Sequence, residues 1–240
     1  MNLGGIANIS SHRGQGGDHE GGPGADGGGD GPAQGSAAGS AAGDFVAFDV
    51  CPANRVLNSL AGLEGRAFDE GGSLAASGRV DVALLERLNA LPYYDMGYPK
   101  SLGNEFGTDT VYPMVREAIG SEAGGKGEGG LRAADGLRTY VEHIVVQVGK
   151  AVQALGGEGR MLVTGGGAYN TFLIGRLREV LAPLGVEVIV PEPALVDYKE
   201  ALVMALIGVL RWREESNVLA SVTGASRDSI GGAVWMGQEG

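Results

Sequence analysis

Several groups of residues in this chain have types and spacings suited to chemistry. Asp49 lies near the end of an apolar run, Asp44-Phe-Val-Ala-Phe-Asp-Val50, just ahead of a helix-compatible stretch. Ligands of α/β sheets bind beyond strand ends, so a carboxylate there reads as a general base. Its competing role is to cap the helix beginning near Pro52. In Met1-Asn-Leu-Gly-Gly-Ile-Ala-Asn8 the pair Gly4 and Gly5 permits a turn at positive φ and lets amide N–H groups approach an anion, with Asn8 adding a polar contact. The same pair also suits an ordinary hairpin turn. Thr164-Gly-Gly-Gly-Ala-Tyr-Asn170 follows a strand and opens a helix. The backbone of Gly165, Gly166 and Gly167 can therefore pass flat against an adenine or ribose or offer N–H groups to a phosphate, or simply form a tight turn capped by Asn170. Neither a dinucleotide fingerprint nor a Walker loop is present. Asp197-Tyr-Lys-Glu200 before an apolar run has the form of a capping box, the alternative for Glu200 being to accept from a substrate hydroxyl. Lys100 and Ser101 either meet an anion or sit in a solvated loop. Cys51 reads as a packing residue, because no histidine lies near it in sequence to activate it.

These residues need a frame. The alternation of 44–50 predicts a strand largely buried on both sides, and apolar spacing predicts helices over 53–63, with Pro52 in the first turn, and over 81–91. Residues 92–107 read as loop and 137–155 as helix. Strands at 160–164 and 187–190 then alternate with helices at 170–181 and 197–211, which indicates an α/β domain with a mostly parallel or mixed sheet. Residues 13–43 hold only small, polar and charged residues with no aromatic or β-branched side chain, and predict a disordered loop between two strands. Residues 120–130 predict a second flexible loop.

Composition narrows the function. With 43% apolar residues, 240 residues supply a real core. A net charge of −11 disfavours nucleic acid and anionic membrane surfaces as partners and favours a small-molecule substrate. One cysteine allows no internal disulfide and makes a reducing, cytoplasmic compartment the default. The three histidines show no metal-ligand spacing, so no protein-bound structural metal is expected. No apolar run approaches the ~20 residues of a membrane span, and the start lacks a signal pattern.

The order of segments NLGGIANIS, FDVCPAN, DEGGSLAASGRV with LLERL, PYY, PKSLGNEF, TGGGAYN, KEALVMALIGVLR and SVTGA resembles the anhydro-N-acetylmuramic acid kinase family, its Bacteroidetes-type branch in particular. The resemblance covers nearly everything outside 13–43 and the patch near Gly124. It implies the actin and sugar-kinase superfamily, in which two RNase H-like domains close over ATP and sugar. Residues 1–240 would form the C-terminal kinase domain, a mixed sheet flanked by helices with a helical insertion. The implied reaction opens the ring of 1,6-anhydro-N-acetylmuramic acid and phosphorylates O6, with ATP and its Mg2+ as cofactors. Asp49 would be the general base, Gly4 and Gly5 the second phosphate hairpin, Gly165, Gly166 and Gly167 the adenosine segment, Asn8 a substrate contact and Glu200 the sugar-contacting glutamate. Val50, Cys51 and Ala53 stand where the commoner branch has Thr, Gly and Gly. The resemblance leaves a homodimer open. The family's N-terminal domain, with its Gly-Thr-Ser-Leu-Asp-Gly phosphate loop, has no counterpart in these residues. One domain is not expected to close on ATP alone. Two functions therefore compete: kinase chemistry completed by a complementary half, and a non-catalytic nucleotide- or sugar-binding remnant.

Overall fold

The computed structural model describes residues 1–12, 45–120 and 130–237; the expected loops at 13–43 and 120–130 lie essentially outside them. Strands β1 (Asn2–Leu3), β2 (Ile6–His12) and β3 (Phe45–Pro52) form an antiparallel sheet in the order β1-β2-β3, while β4 (Gly159–Leu162) and β5 (Val186–Ile189) pair in parallel. A parallel bridge between Asn2 and Thr164, with Leu3 N–H donating to the Thr164 carbonyl at 2.8 Å, joins the two sets across β1. The expected α/β class is thus met by two small sheets, one antiparallel and one parallel, linked by this bridge.

β3 buries Val46, Phe48 and Val50 but leaves Phe45, Ala47 and Asp49 at least partly open. This corrects the expectation of a strand buried on both faces: helices cover one side, and the other forms part of a cleft. Pro52 ends this strand rather than entering a helix, because it pairs with Ile6. The next helix, α1 (Asn54–Gly62), begins two residues later and buries Val56, Leu57 and Leu60.

Asp69, itself buried, accepts from the N–H groups of Leu74 at 2.8 Å and Ala75 at 2.9 Å and so starts the short α2 (Ser73–Ser77). Asp81 does the same for α3 (Val82–Asn89) by accepting from Leu84 N–H at 2.7 Å. A single 3₁₀ turn, Pro92–Asp95, and an extended segment follow, and a π-helical turn, Phe106–Val111, runs into α4 (Tyr112–Ile119).

The central element is α5 (Ala133–Ala154), whose 22 residues are mostly buried against α1, α2, α3, α4 and β3. It also packs on α6 (Thr171–Leu181), where Arg176 grips Glu142 of α5 with two hydrogen bonds, at 2.7 and 3.0 Å. Asn170 caps α6 by accepting from Leu173 N–H at 3.0 Å. Helix α7 (Pro193–Trp212) starts four residues before the expected position, with Pro193 in its first turn. Asp197 is therefore inside the helix, and the capping-box reading of Asp197 and Glu200 is wrong. The short α8 (Ala220–Thr223) packs on β3.

His143, at the middle of α5, is fully buried with Nδ1 2.7 Å from Asn89 Oδ1 and Nε2 2.9 Å from the Tyr94 hydroxyl. Asn89 Oδ1 also accepts from Gln147 Nε2 at 2.7 Å, so the amide oxygen is an acceptor and the ring assigns as the neutral Nδ1–H tautomer. Burial, reinforced by Lys150, pushes the imidazole pKa down to about 3. Between about 6.5 and 3 the unfolded chain binds a proton that the native state refuses. The His143 contribution to stability is therefore complete above about pH 6.5 and is lost as pH falls, with a slope approaching ~1.4 kcal/mol per pH unit. Urea unfolding at pH 7 and pH 4.5 should show a smaller stability difference for His143→Leu than for the unmodified protein; equal differences would contradict this assignment.

Candidate functional site

The register between β2 and β3 sets Asn8 opposite Asp49, with an irregularity between Ala7 and Asn8. Both side chains sit on the open face, because Ala7 and Ile9 turn the other way into the core. Asp49 does not cap α1. One carboxylate oxygen, Oδ2, accepts from Leu102 N–H at 2.8 Å, and Oδ1 has no protein partner among the described residues. Its main chain is held from two further sides: Asp49 N–H donates to the Lys100 carbonyl at 3.1 Å, and the Tyr93 hydroxyl donates to the Asp49 carbonyl at 2.7 Å. A carboxylate with one oxygen anchored and the other open is aimed, which is what proton abstraction requires.

Asp49 lines a cavity of about 560 Å³ together with Asn8, Ser10, Ser101, Val222 and Thr223. The last two residues come from α8, so the SVTGA segment lines the same cavity as the carboxylate although it lies near the far end of the sequence. Lys100 lines the cavity too, but its ammonium donates to the Tyr93 carbonyl at 3.2 Å and lies over the Tyr93 ring at 4.6 Å. Burial lowers its pKa. Its role is to brace the loop that anchors Asp49. Cys51 is wholly buried, which pushes its thiol pKa well up and fits the packing role expected of it.

The Gly4-Gly5 turn adopts no positive φ, which corrects the conformational reason for those glycines. Its carbonyls are instead committed to the start of α1: Gly5 accepts from Ala53 N–H at 2.8 Å and Gly4 from Asn54 N–H at 3.1 Å. Crowding bears on Gly4 alone, where a Cβ would stand 3.3 Å from Asn2 Nδ2; a Cβ on Gly5 would meet only ordinary contact with Arg55 at 3.8 Å.

In the triple glycine the three positions do different jobs. Gly165 has φ +82, and a Cβ there would lie 2.6 Å from Asn2 Oδ1; a Cβ on Gly167 would lie 2.6 Å from Leu3 Cβ. Both are needed for the turn to pack on β1. Gly166 is the open one, with only Asn54 Nδ2 near, at 3.5 Å. Gly166 and Gly167 line a second cavity of about 500 Å³ with Asn54, Phe68, Glu70 and Tyr169, whereas Gly165 does not reach it. Glu200 is exposed on α7 and lines none of the described cavities.

A third cavity, also about 500 Å³, adjoins the first through Asn8 and Ser10 and includes Asn2, Thr164, Arg160 and Lys199. Lys199 was not among the sequence candidates, although it stands beside Glu200. Its ammonium donates to Asn2 Oδ1 at 2.7 Å and Thr164 Oγ1 at 3.1 Å. Leu102 was equally hidden, since a main-chain donor leaves no mark on the choice of side chain. Among the described residues no three His, Cys, Asp or Glu side chains cluster as metal ligands, and no helix is long and apolar enough to cross a membrane.

An α/β domain with an aimed carboxylate, adjoining polar cavities and a glycine-lined cavity is the kind of scaffold on which ligand-binding enzymes are built. Comparison with known proteins supplies the family. The family model described as anhydro-N-acetylmuramic acid kinase matches residues 40–237. Proteins of that name are similar to this chain: one from Gloeobacter violaceus is 34% identical over 232 residues, covering 95% of this chain and 52% of the relative. One from Rhodococcus erythropolis is 32% identical over 244 residues, covering 100% and 54%. One from Xanthomonas oryzae pv. oryzae is 36% identical over 193 residues, covering 79% and 48%. The chain belongs to the anhydro-N-acetylmuramic acid kinase family, and it spans about half the length of the curated relatives it matches.

The two kinds of glycine separate in a stability measurement. Gly167→Ala should lower the unfolding free energy by about 1–3 kcal/mol through overpacking against Leu3. Gly166→Ala should cost less than about 1 kcal/mol. Chemical denaturation of both variants checks this, and equal losses would show that Gly167 is not a packing glycine.

Proposed function

We propose that this chain carries the general base and the nucleotide-facing side of an anhydro-sugar kinase. The activity is that of a protein of the relatives' full length: ATP-dependent ring opening of 1,6-anhydro-N-acetylmuramic acid to N-acetylmuramic acid 6-phosphate. The observation that carries the reading is the Asp49 carboxylate, anchored through Oδ2 and free at Oδ1 in a cavity of about 560 Å³. Oδ1 takes a proton from water as the water oxygen bonds to the anomeric carbon. The bond from that carbon to O6 breaks, and O6 receives the γ-phosphoryl group with ADP leaving. Each step depends on alignment more than on covalent help from the protein.

Asn8 sits between Asp49 and the third cavity and is suited to hold a sugar polar group. The Gly4-Gly5 turn faces the phosphates in this reading, and Gly166 and Gly167 line the adenosine cavity, with Gly165 shaping their turn. Glu200 meets the sugar only when more of the fold closes over it. The adenosine part of ATP is assigned to this glycine-lined cavity, which holds no basic side chain for the phosphates. Mg2+ would enter with the nucleotide and would supply charge neutralisation at the transferring phosphoryl group.

The RNase H-like assignment of residues 1–240 is supported by the antiparallel β3-β2-β1 unit running through the Asn2–Thr164 bridge into parallel strands. Helix α7 exposes Leu202, Val203, Met204, Leu206, Val209 and Trp212, an apolar surface of the sort that covers a partner. The remaining length of the family's fold is what we assign to it.

Phosphorus NMR with the anhydro sugar and Mg-ATP tests the reading. The chain by itself should give no sugar phosphate, and addition of the N-terminal half of a relative should restore turnover. Asp49→Asn should lower the restored rate by at least ~100-fold without changing nucleotide affinity. Restored turnover that survives Asp49→Asn would remove Asp49 as the base, and nucleotide binding without any turnover would favour a non-catalytic domain.

A further inference from the structure

We infer that Lys199 is the cation that receives the terminal phosphates of the nucleotide, an assignment that rests on the kinase reading above. The argument starts from register. Asp49 pairs with Asn8, Asn8 irregularly but directly; Asn8 stands opposite Asn2, and Asn2 bridges to Thr164. Residues directly opposite across strands share a face. One polar row therefore crosses β3, β2 and β1 and reaches Thr164 by the bridge, from carboxylate through two amides to a hydroxyl. Neighbouring strands are about 4.8 Å apart, so Asn2 lies two steps, roughly 10 Å, from Asp49.

Lys199 terminates this row. Its ammonium spends one N–H on Asn2 Oδ1 at 2.7 Å and one on Thr164 Oγ1 at 3.1 Å, both neutral acceptors. No carboxylate forms an ion pair with it among the described residues. A half-buried ammonium without a counter-ion, in a chain of net charge −11, has one donor left for an anion.

The glycine segments meet at the same place. Asn2 Oδ1 lies 2.6 Å from where a Gly165 Cβ would be, and Asn2 Nδ2 lies 3.3 Å from the Gly4 position. Lys199 is thus tied through one amide to both turns assigned to the nucleotide. The cavity it lines also contains Arg160, another cation without an ion-pair partner among the described residues, and Glu158, an acidic lining residue. The base works at one end of the polar row, and the charge of the phosphates is met at the other.

Calorimetric titration with ATP, tripolyphosphate and adenosine tests this. Lys199→Met should weaken ATP and tripolyphosphate binding about tenfold or more and leave adenosine binding unchanged, while Lys199→Arg should stay close to the unmodified protein for all three. In the unmodified protein, ATP and tripolyphosphate should protect Lys199 from acetylation, read by mass spectrometry, and adenosine should not; this readout holds even if Lys199→Met fails to fold. Unchanged ATP binding in Lys199→Met, parallel loss of ATP and adenosine binding, or no protection by tripolyphosphate would overturn the assignment alone. An unmodified protein that binds neither ATP nor adenosine would overturn the kinase reading and this assignment together.

Discussion

The pairing of β2 with β3 is the constraint on which the site depends. Side chains alternate along a strand, so a slip of one residue would send Asp49 to the side that holds Val46, Phe48 and Val50. An unpaired carboxylate in that core would be severely penalised, and three apolar side chains would be turned to water. The apolar alternation of β3 thereby enforces the exposure of Asp49. The same register puts Asn8 beside it, and the β1–β2 pairing carries the polar row on through Asn2 to Thr164.

What holds Asp49 in place is mostly main chain. Leu102 N–H anchors its carboxylate, the Lys100 carbonyl accepts from its N–H, and the Tyr93 hydroxyl donates to its carbonyl. Lys100 in turn grips Tyr93. The strand and the 92–102 loop are therefore fastened as one unit, with the aromatic ring and the lysine behind the carboxylate. Tyr94, the neighbour of Tyr93, bonds to His143 in the middle of α5, so the loop is rooted in the most buried helix of the domain.

Glycine serves two purposes at the β1 edge of the sheet. Gly165 and Gly167 bring their turn against β1, where any Cβ would collide with Asn2 or Leu3. Gly166 alone combines an open position with a cavity wall. A run of three glycines therefore reflects close approach of the protein to itself as much as approach to a ligand. The Gly4-Gly5 turn serves the fold through its main chain, its carbonyls accepting from the N–H groups of Ala53 and Asn54 where α1 begins.

The kinds and order of elements were legible in the residues: alternation marked β3, apolar spacing marked α1 and α3, and the glycine turn with Asn170 marked the start of α6. The sequence also singled out Asp49, Asn8 and the glycine turns, because an acidic residue in an apolar run and repeated glycines are local signals. It misplaced the start of α7, where Pro193 in the first turn outweighed an acidic pair inside the helix, and it took β3 to be buried on both faces. Long-range packing established that Asp49 is aimed by Leu102, that α8 reaches its cavity, that Gly165 is a packing glycine, and that Lys199 ends the polar row. The reason is physical: a main-chain donor has no sequence signature. A contact such as Lys199 to Asn2 joins residues at opposite ends of the chain, and only sheet register and helix docking bring them together.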